Sequence, residues 1–334
     1  MCGRSRAFYA GIFSPDLTDP NACRVLWDEL PMVSPGDRDW LELPLTLAEF
    51  SEALHCMPTN KSPGIDGLTT EFYRMFWDVL GPDLVTVWAK SLQSGVLPLS
   101  YMQPPRFTKL ASSFTPQHRL QGRTILDNLY LVQDLLELGC RDGLLFALLS
   151  LDQEKAFDRV DHEYLLSTLQ MFDFRPQFVG FLWVLYASTE CLVRLNWILT
   201  EPVCFGQGVQ QGCPLSGQLY TLAMEPFLCL LHRRLTGLVL QEPELRLVLS
   251  AYADDMLLVV QDLGDLARVE VCQAIYSAAG STGSRAVASW LGTAGKRSPS
   301  HPCFRPSGGA QVHCSISAFT FLPRIRLHRR TGMV

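Results

Sequence analysis

The sequence lacks the paired cysteines that would indicate a disulfide framework or a zinc site. Its 11 cysteines are odd in number and scattered, and no Cys-x-x-Cys pair occurs among them. The seven histidines show no zinc-ligand spacing relative to the cysteines. We therefore expect reduced, mostly buried thiols in a reducing compartment.

Long apolar runs and an excess of basic charge are also missing. The longest apolar runs, residues 144–151 and 178–187, are shorter than the roughly 20 residues that a membrane helix needs. No signal peptide is visible. The sequence therefore predicts a soluble, intracellular protein without a membrane partner, and leaves nucleus and cytoplasm undecided. The net charge of −5 gives no general support for nucleic-acid binding.

What is present is ample material for a core and two changes of composition. Hydrophobic residues make up 48% of the 334 residues, which predicts a globular chain of one large or two ordinary domains. Residues 1–45 read as a short helical segment and a proline-punctuated connector. Residues 282–334 are rich in Gly, Ser and Pro, and no acidic residue follows Ser284. This composition predicts a basic tail of low order.

The middle of the chain alternates between helical and extended patterns. The pattern predicts strands at 144–152, 245–253 and 256–260, a hairpin over 191–204, and helices at 47–57, 124–138, 162–171, 176–186, 216–232 and 263–278. Thr46 and Glu49 form a capping box before the first of these helices. This order indicates an α+β fold with an antiparallel sheet and helices on one face.

Three acidic residues stand at the ends of apolar strands. Asp152 closes the run 144–151, and Asp254 and Asp255 lie between two further apolar segments. Adjacent carboxylates in apolar surroundings repel each other and lose hydration, and a divalent cation with oxygen ligands would neutralise them. The alternative is an Asp-Asp hairpin turn that needs no metal.

Five segments carry a resemblance to a known family. In chain order they are 60–67 (NKSPGIDG), 122–123 with 127–128, 151–160 (LDQEKAFDRV), 208–216 (GVQQGCPLS) and 252–255 (YADD). Together they resemble the motifs of reverse transcriptases from retrotransposons without long terminal repeats, of the long interspersed type. Gln210 stands where these enzymes more often have Arg.

The resemblance implies an RNA-directed DNA polymerase that joins a dNTP to a primer 3′ hydroxyl. Two Mg²⁺ ions, with Mn²⁺ as the alternative, would assist this transfer. The implied catalytic residues are Asp152, Asp254 and Asp255. They are also the implied metal ligands, together with the backbone carbonyl of Gln153.

The resemblance also implies contacts with nucleotide and nucleic acid. The implied nucleotide-binding residues are Phe157, Gln211, Gly212 and Tyr252, and those for the RNA template and DNA primer are Lys61 and Arg123. An aromatic residue at the position of Phe157 excludes a ribose 2′ hydroxyl in this family. From the residues alone, Phe157 reads as a core aromatic and Lys61 as a solvated surface lysine.

By the same resemblance, residues 46–121 form partial fingers and 122–281 the palm. The chain between residues 98 and 122 is too short for the basic fingers motif of the family, and the basic tail stands where a thumb would follow. The sequence therefore indicates a truncated copy with a missing or degenerate thumb. A catalytically inactive remnant that at most binds nucleic acid stays open, as does a nonenzymatic interaction protein. The oligomeric state is undecided.

Overall fold

The computed structural model describes most of the chain up to residue 293. The described residues are 2–15, 17–60, 67–96, 125–153, 155–186, 190–191, 193–195, 198–209, 215–241, 244–252, 254–280 and 287–293. The helices are α1 (Cys2–Phe13), α2 (Pro20–Leu26), α3 (Pro35–Leu41), α4 (Leu47–Cys56), α5 (Thr70–Met75), α6 (Trp77–Ser94), α7 (Ile125–Asp142), α8 (His162–Met171), α9 (Pro176–Tyr186), α10 (Ser216–Arg234) and α11 (Leu263–Ala278). A 3₁₀ helix spans Ala156–Arg159.

Four of the strands form one sheet and the others form short hairpins. The strands are β1 (Ala147–Asp152), β2 (Glu190–Cys191), β3 (Arg194–Leu195), β4 (Ile198–Leu199), β5 (Val203–Cys204), β6 (Leu238–Gln241), β7 (Glu244–Leu247), β8 (Leu249–Tyr252), β9 (Asp255–Val260) and β10 (Val287–Thr293). The predicted hairpin over 191–204 is confirmed as two nested antiparallel pairs, β2 with β5 and β3 with β4. The predicted strand 245–253 is instead two strands, β7 and β8.

Two of the five prolines in residues 1–45, Pro20 and Pro35, begin helices instead of marking a connector. Asp19 accepts a hydrogen bond from the Asn21 backbone N–H, and Pro20 occupies the first position of α2. Ser34 and Pro35 repeat this arrangement at the start of α3. Proline suits this position because its fixed φ is helical and its missing N–H has no partner within the helix. The prediction of a proline-punctuated connector over residues 1–45 was therefore wrong in this part.

The predicted capping box at α4 is confirmed. The Thr46 hydroxyl accepts from the Glu49 backbone N–H, and the Glu49 carboxylate accepts from the Thr46 backbone N–H. Thr69 caps α5 in the same way, through the Phe72 N–H. Each cap satisfies backbone donors that a helix leaves unpaired at its start, which stabilises a helix by about 1 kcal/mol.

The main sheet has a strand order that a simple meander cannot produce. Its order is β10-β1-β9-β8, and every neighbouring pair is antiparallel. Helices connect β1 to β8 and β9 to β10, whereas β8 and β9 form a hairpin. This is the β-α-β-β-α-β topology of ferredoxin-like sheets. It places β1 beside β9, although about a hundred residues separate them in sequence.

Both faces of this sheet are covered. Leu149 and Leu258 pack into the larger core, which includes residues of α8, α10 and α11. Leu148 and Val259 point to the other face, where Leu135 of α7 joins them in a second core. The predicted antiparallel sheet and helices are confirmed, but helices do not lie on one face alone. Apolar side chains of β1 point to both faces of the sheet, so other elements must shield each face from water.

The first part of the expected low-order tail is a strand. Residues Val287–Thr293 form β10, which pairs along β1 from Ala147 to Asp152. This segment (VASWLGT) carries no charge and no proline, which suits a strand. The prediction of low order was therefore wrong for these residues. Residues 294–334 lie outside the described residues.

None of the described helices is long and apolar enough to cross a membrane.

Candidate active site

Two of the three predicted catalytic acids, Asp152 and Asp255, lie at the ends of adjacent strands, and Asp254 lies in the turn before β9. Leu151 pairs with Met256 across β1 and β9, so continuing this register sets the backbone of Asp152 beside that of Asp255. Tyr252 pairs with Asp255 across β8 and β9, and Asp254 lies in the turn that precedes β9. The sheet therefore brings the end of β1 and the β8–β9 turn to one edge. For Asp152 the structure describes the backbone only.

The acids of the β8–β9 hairpin are accessible to solvent. Asp255 is exposed and Asp254 is half-buried, while Met256 and Leu258 on the same strand are buried. The apolar strands predicted on either side of these acids are thus present, but the Asp255 carboxylate is exposed and keeps much of its hydration. Among the described side chains no three His, Cys, Asp or Glu residues lie together as metal ligands, and the side chain of Asp152 is not among those described.

Gln153 is tied into the core directly after Asp152. It is 4% exposed, and both atoms of its side-chain amide have partners. Its Oε1 accepts from the Tyr220 hydroxyl at 3.0 Å, and its Nε2 donates to the Met224 sulfur at 3.3 Å. The buried amide therefore fixes the chain at the residue whose carbonyl was predicted to face a metal.

Phe157 lies on the short 3₁₀ helix after β1 and stacks on Tyr220. The two ring centroids are 4.6 Å apart and the ring planes differ by 20°. Phe157 is half-buried, whereas Tyr220 of α10 is 1% exposed. Lys155, just before this helix, has a left-handed backbone with φ 56°. Lys155 is therefore the residue at which the short helix that carries Phe157 begins.

The chain leading to the predicted nucleotide-binding loop runs against the 3₁₀ helix. The Gly208 N–H donates to the Val160 carbonyl, and the Val209 N–H donates to the Phe157 carbonyl, both at 2.7 Å. These bonds fix the start of the 208–216 motif beside Phe157. Gln210, Gln211 and Gly212 lie outside the described residues, as do Lys61 and Arg123.

The N-terminal helix α1 holds the same segment from the other side. The Gly206 N–H donates to the Phe13 carbonyl at 3.0 Å, and the buried Gln207 side chain donates to the Ile12 carbonyl. The Lys155 ammonium lies 4.7 Å from the centre of the Phe8 ring. The end of α1 is therefore satisfied by the segment that carries the glycine motif.

His162 is a buried residue of this region that sequence reasoning missed. Its Nε2 lies 2.7 Å from the Gly208 carbonyl oxygen, which can only accept, so Nε2 carries a proton. Burial lowers the pKa of His162, and the bond to the Gly208 carbonyl opposes that shift. Its position in the LDQEKAFDRVDH stretch gives no signal of this contact, because Gly208 is distant in sequence.

Gly208 allows an approach that no other residue fits. Its φ is +101°, and a Cβ there would lie 2.8 Å from the Asp158 carbonyl oxygen. We expect Gly208→Ala to lower the free energy of unfolding by about 2–4 kcal/mol, since both the backbone conformation and the contact become strained. Urea unfolding measures this loss.

Gly180→Ala is the matched control for this substitution. Gly180 lies inside α9, and a Cβ there would meet nothing within 4 Å. Alanine has the higher helix propensity, so this variant should be as stable as the original chain or more stable. An equal loss in both variants would contradict the role assigned to Gly208.

Comparison with known proteins agrees with this geometry. A family model described as reverse transcriptase (RNA-dependent DNA polymerase) matches residues 85–285. The chain is 51% identical over 316 residues to the Transposon TX1 uncharacterized 149 kDa protein of Xenopus laevis, covering 83% of this chain. It is 26% identical over 133 residues to the retrovirus-related Pol polyprotein from type-1 retrotransposable element R2 of Popillia japonica, covering 40% of this chain.

Both relatives are much longer than the matched region. The chain spans 24% of the frog protein and 22% of the beetle polyprotein. The alignment with the frog protein has 316 positions, which is more than the 83% of this 334-residue chain that it covers. Within the aligned region the frog protein therefore contains residues that this chain lacks. Because the family model matches more than half of the chain, the protein belongs to the reverse transcriptase (RNA-dependent DNA polymerase) family, and its relatives are those of retrotransposons without long terminal repeats.

Proposed function

We propose that this chain is the palm-containing part of an RNA-directed DNA polymerase that transfers a nucleotide from a dNTP to a primer 3′ hydroxyl. The proposal rests on one observation, which is that the end of β1 lies beside the β8–β9 turn at one end of the sheet. Asp152, Asp254 and Asp255 belong to these two places. Three carboxylates at one place can hold cations, which suits a reaction in which cations neutralise the charge on phosphates.

The donor set suits Mg²⁺, with Mn²⁺ as a substitute. The carboxylates of Asp152, Asp254 and Asp255 and the carbonyl of Gln153 are all oxygen donors, which these hard cations prefer. Asp254 and Asp255 are not fully buried, so water can complete a coordination shell. Bound there, the ions would lower the pKa of the primer hydroxyl and neutralise the triphosphate.

The remaining predicted residues take supporting roles in this proposal. Phe157 borders the sugar of the incoming nucleotide and excludes a 2′ hydroxyl, and Tyr252 lies at the end of β8 beside the turn. Gln211 and Gly212, which follow Gly208 in the sequence, contact the nucleotide. Lys61 and Arg123 contact the RNA template and DNA primer, because their positive charges attract the phosphates of the nucleic-acid backbone.

The domain boundaries are part of the same proposal, and the sheet supports the end of the palm. Residues 46–121 correspond to partial fingers, and the palm begins near residue 122. Since β10 completes the four-stranded sheet beside β1, we extend the palm from the predicted end at residue 281 to Thr293.

Primer extension tests the proposal directly. A DNA primer annealed to an RNA template is incubated with the purified chain, the four dNTPs and Mg²⁺. We expect template-directed extension that stops when a chelator removes the metal, because the carboxylates alone cannot neutralise the triphosphate. Absence of extension, from protein shown to be folded, would contradict the proposed function.

A further inference from the structure

The ring of Phe157 owes its position to Tyr220. Phe157 is half-buried on a 3₁₀ helix of four residues, and such a short element fixes a side chain poorly by itself. Tyr220 lies on α10, a helix of 19 residues that crosses the main core. Stacking against Tyr220, which α10 holds in place, therefore restricts the motion of the Phe157 ring.

Tyr220 also connects Phe157 with the strand that ends at Asp152. Its hydroxyl donates to Gln153 Oε1 at 3.0 Å, and the Gln153 Nε2 donates to the Met224 sulfur, one turn further along α10. The Tyr220 ring thus contacts Phe157, and its hydroxyl contacts Gln153. These two residues lie on either side of Lys155 in the sequence. A shift of Tyr220 would move both.

We propose that Tyr220 is a positioning residue that sets the preference for deoxynucleotides by holding the Phe157 ring in place. This inference rests on the proposed function, in which Phe157 borders the nucleotide sugar. Tyr220 itself, 1% exposed, does not reach the nucleotide. A ring held on one side by a stacked partner resists a 2′ hydroxyl, whereas a ring free to rotate yields to it.

The test is the ratio of kcat/KM for a dNTP to that for the matching rNTP, on one primer and RNA template. We expect Tyr220→Leu, which removes the stacked ring, to lower this ratio about tenfold, mainly through a lower KM for the rNTP. Tyr220→Phe keeps the ring and loses the hydroxyl that donates to Gln153, so its ratio should fall less, by about threefold.

Tyr276 provides the matched control. It is also 1% exposed, stacks on Phe227 at 4.4 Å, and donates its hydroxyl to the Met224 sulfur. Tyr276→Leu therefore removes a buried stacked tyrosine of equal size from the same core, and we expect its nucleotide ratio to stay unchanged. An equal fall in both leucine variants would reveal general loosening and overturn the assignment, as would an unchanged ratio in Tyr220→Leu.

A second comparison keeps the test decisive should Tyr220→Leu fail to fold. In a Phe157→Leu background the gating ring is gone, so adding Tyr220→Phe should leave the ratio unchanged. A further fall in that background would show that Tyr220 acts elsewhere and overturn the inference. If the unmodified folded chain extends no primer at all, the proposed function itself fails, an outcome separate from an unchanged ratio in an active enzyme.

Discussion

Replacing Asp254 with Asn is expected to lower primer extension by about a thousandfold, because the substitution removes one of the charges that would hold the metal ions. Asn keeps the size of the side chain at the β8–β9 turn, and Asp254 is half-buried. The fold should therefore persist. Single-turnover extension on an RNA template measures the loss, and the unfolding transition of the variant shows that the protein is intact.

Asp134→Asn is the matched control for this variant. Asp134 is an exposed residue of α7, away from the turn that carries Asp254, and the change in charge is the same. We expect its extension rate to equal that of the unmodified chain. Equal rates in all three proteins would exclude Asp254 from the reaction.

Metal binding gives a second reading of the same site that does not depend on turnover. A ligand that binds only the folded state at ten times its dissociation constant stabilises that state by about 1.4 kcal/mol. We expect Mg²⁺ to raise the unfolding temperature of the unmodified chain and of Asp134→Asn, and to leave Asp254→Asn unaffected. A rise of the same size in Asp254→Asn would place the binding of Mg²⁺ elsewhere.

The parts of this site that the sequence could predict depend on local signals. An apolar strand that ends in Asp152 and two apolar strands that flank Asp254 and Asp255 are visible as runs of residue type. The capping box of Thr46 and Glu49 is visible for the same reason, since both partners lie within four residues. The resemblance implied shared roles for Asp152, Asp254 and Asp255, but the pairing of β1 with β9 was not predicted.

The parts that the sequence could not predict depend on contacts between distant residues. Nothing in the spacing of Phe157 and Tyr220 shows that their rings stack, because the turn at Lys155 and the path of α10 decide it. The approach of Gly208 to Asp158 is hidden in the same way. Strand β10 was missed because a short uncharged segment within a Gly- and Ser-rich stretch becomes a strand only when β1 offers an edge.

The stability of the protein should depend on pH through Glu225, a residue that the proposed reaction does not use. Glu225 lies in the middle of α10 and is 2% exposed. Burial raises the pKa of its carboxyl from 4.5 to about 7, and a hydrogen bond from the Cys229 thiol opposes this shift. The folded protein therefore holds a neutral carboxylic acid under conditions in which the unfolded chain carries a carboxylate.

The sign of the effect follows from the raised pKa. Below pH 4.5 the carboxyl is protonated in both states, and its contribution to stability is fully present. As the pH rises toward 7, only the unfolded chain loses its proton, so the free energy of unfolding falls by about 3 kcal/mol. Above pH 7 both states are ionised, and the contribution no longer changes.

Glu225→Gln removes this dependence while keeping the size of the side chain. We compare the free energy of unfolding of the variant with that of the unmodified chain. The variant's value minus that of the unmodified chain should be about 3 kcal/mol larger at pH 8 than at pH 4.5. Urea unfolding across this range measures the difference. His162, whose pKa is lowered by burial, contributes a change of opposite sign. Subtracting one protein from the other cancels it, because both contain His162.

Glu270→Gln separates the effect of burial from that of charge. Glu270 is an exposed residue of α11, so the same substitution there removes a charge that is hydrated in both states. We expect a pH profile parallel to that of the unmodified chain. A Glu225→Gln profile that is also parallel would mean that water reaches this carboxyl in the folded protein, and that α10 packs less tightly around Glu225 than its 2% exposure indicates.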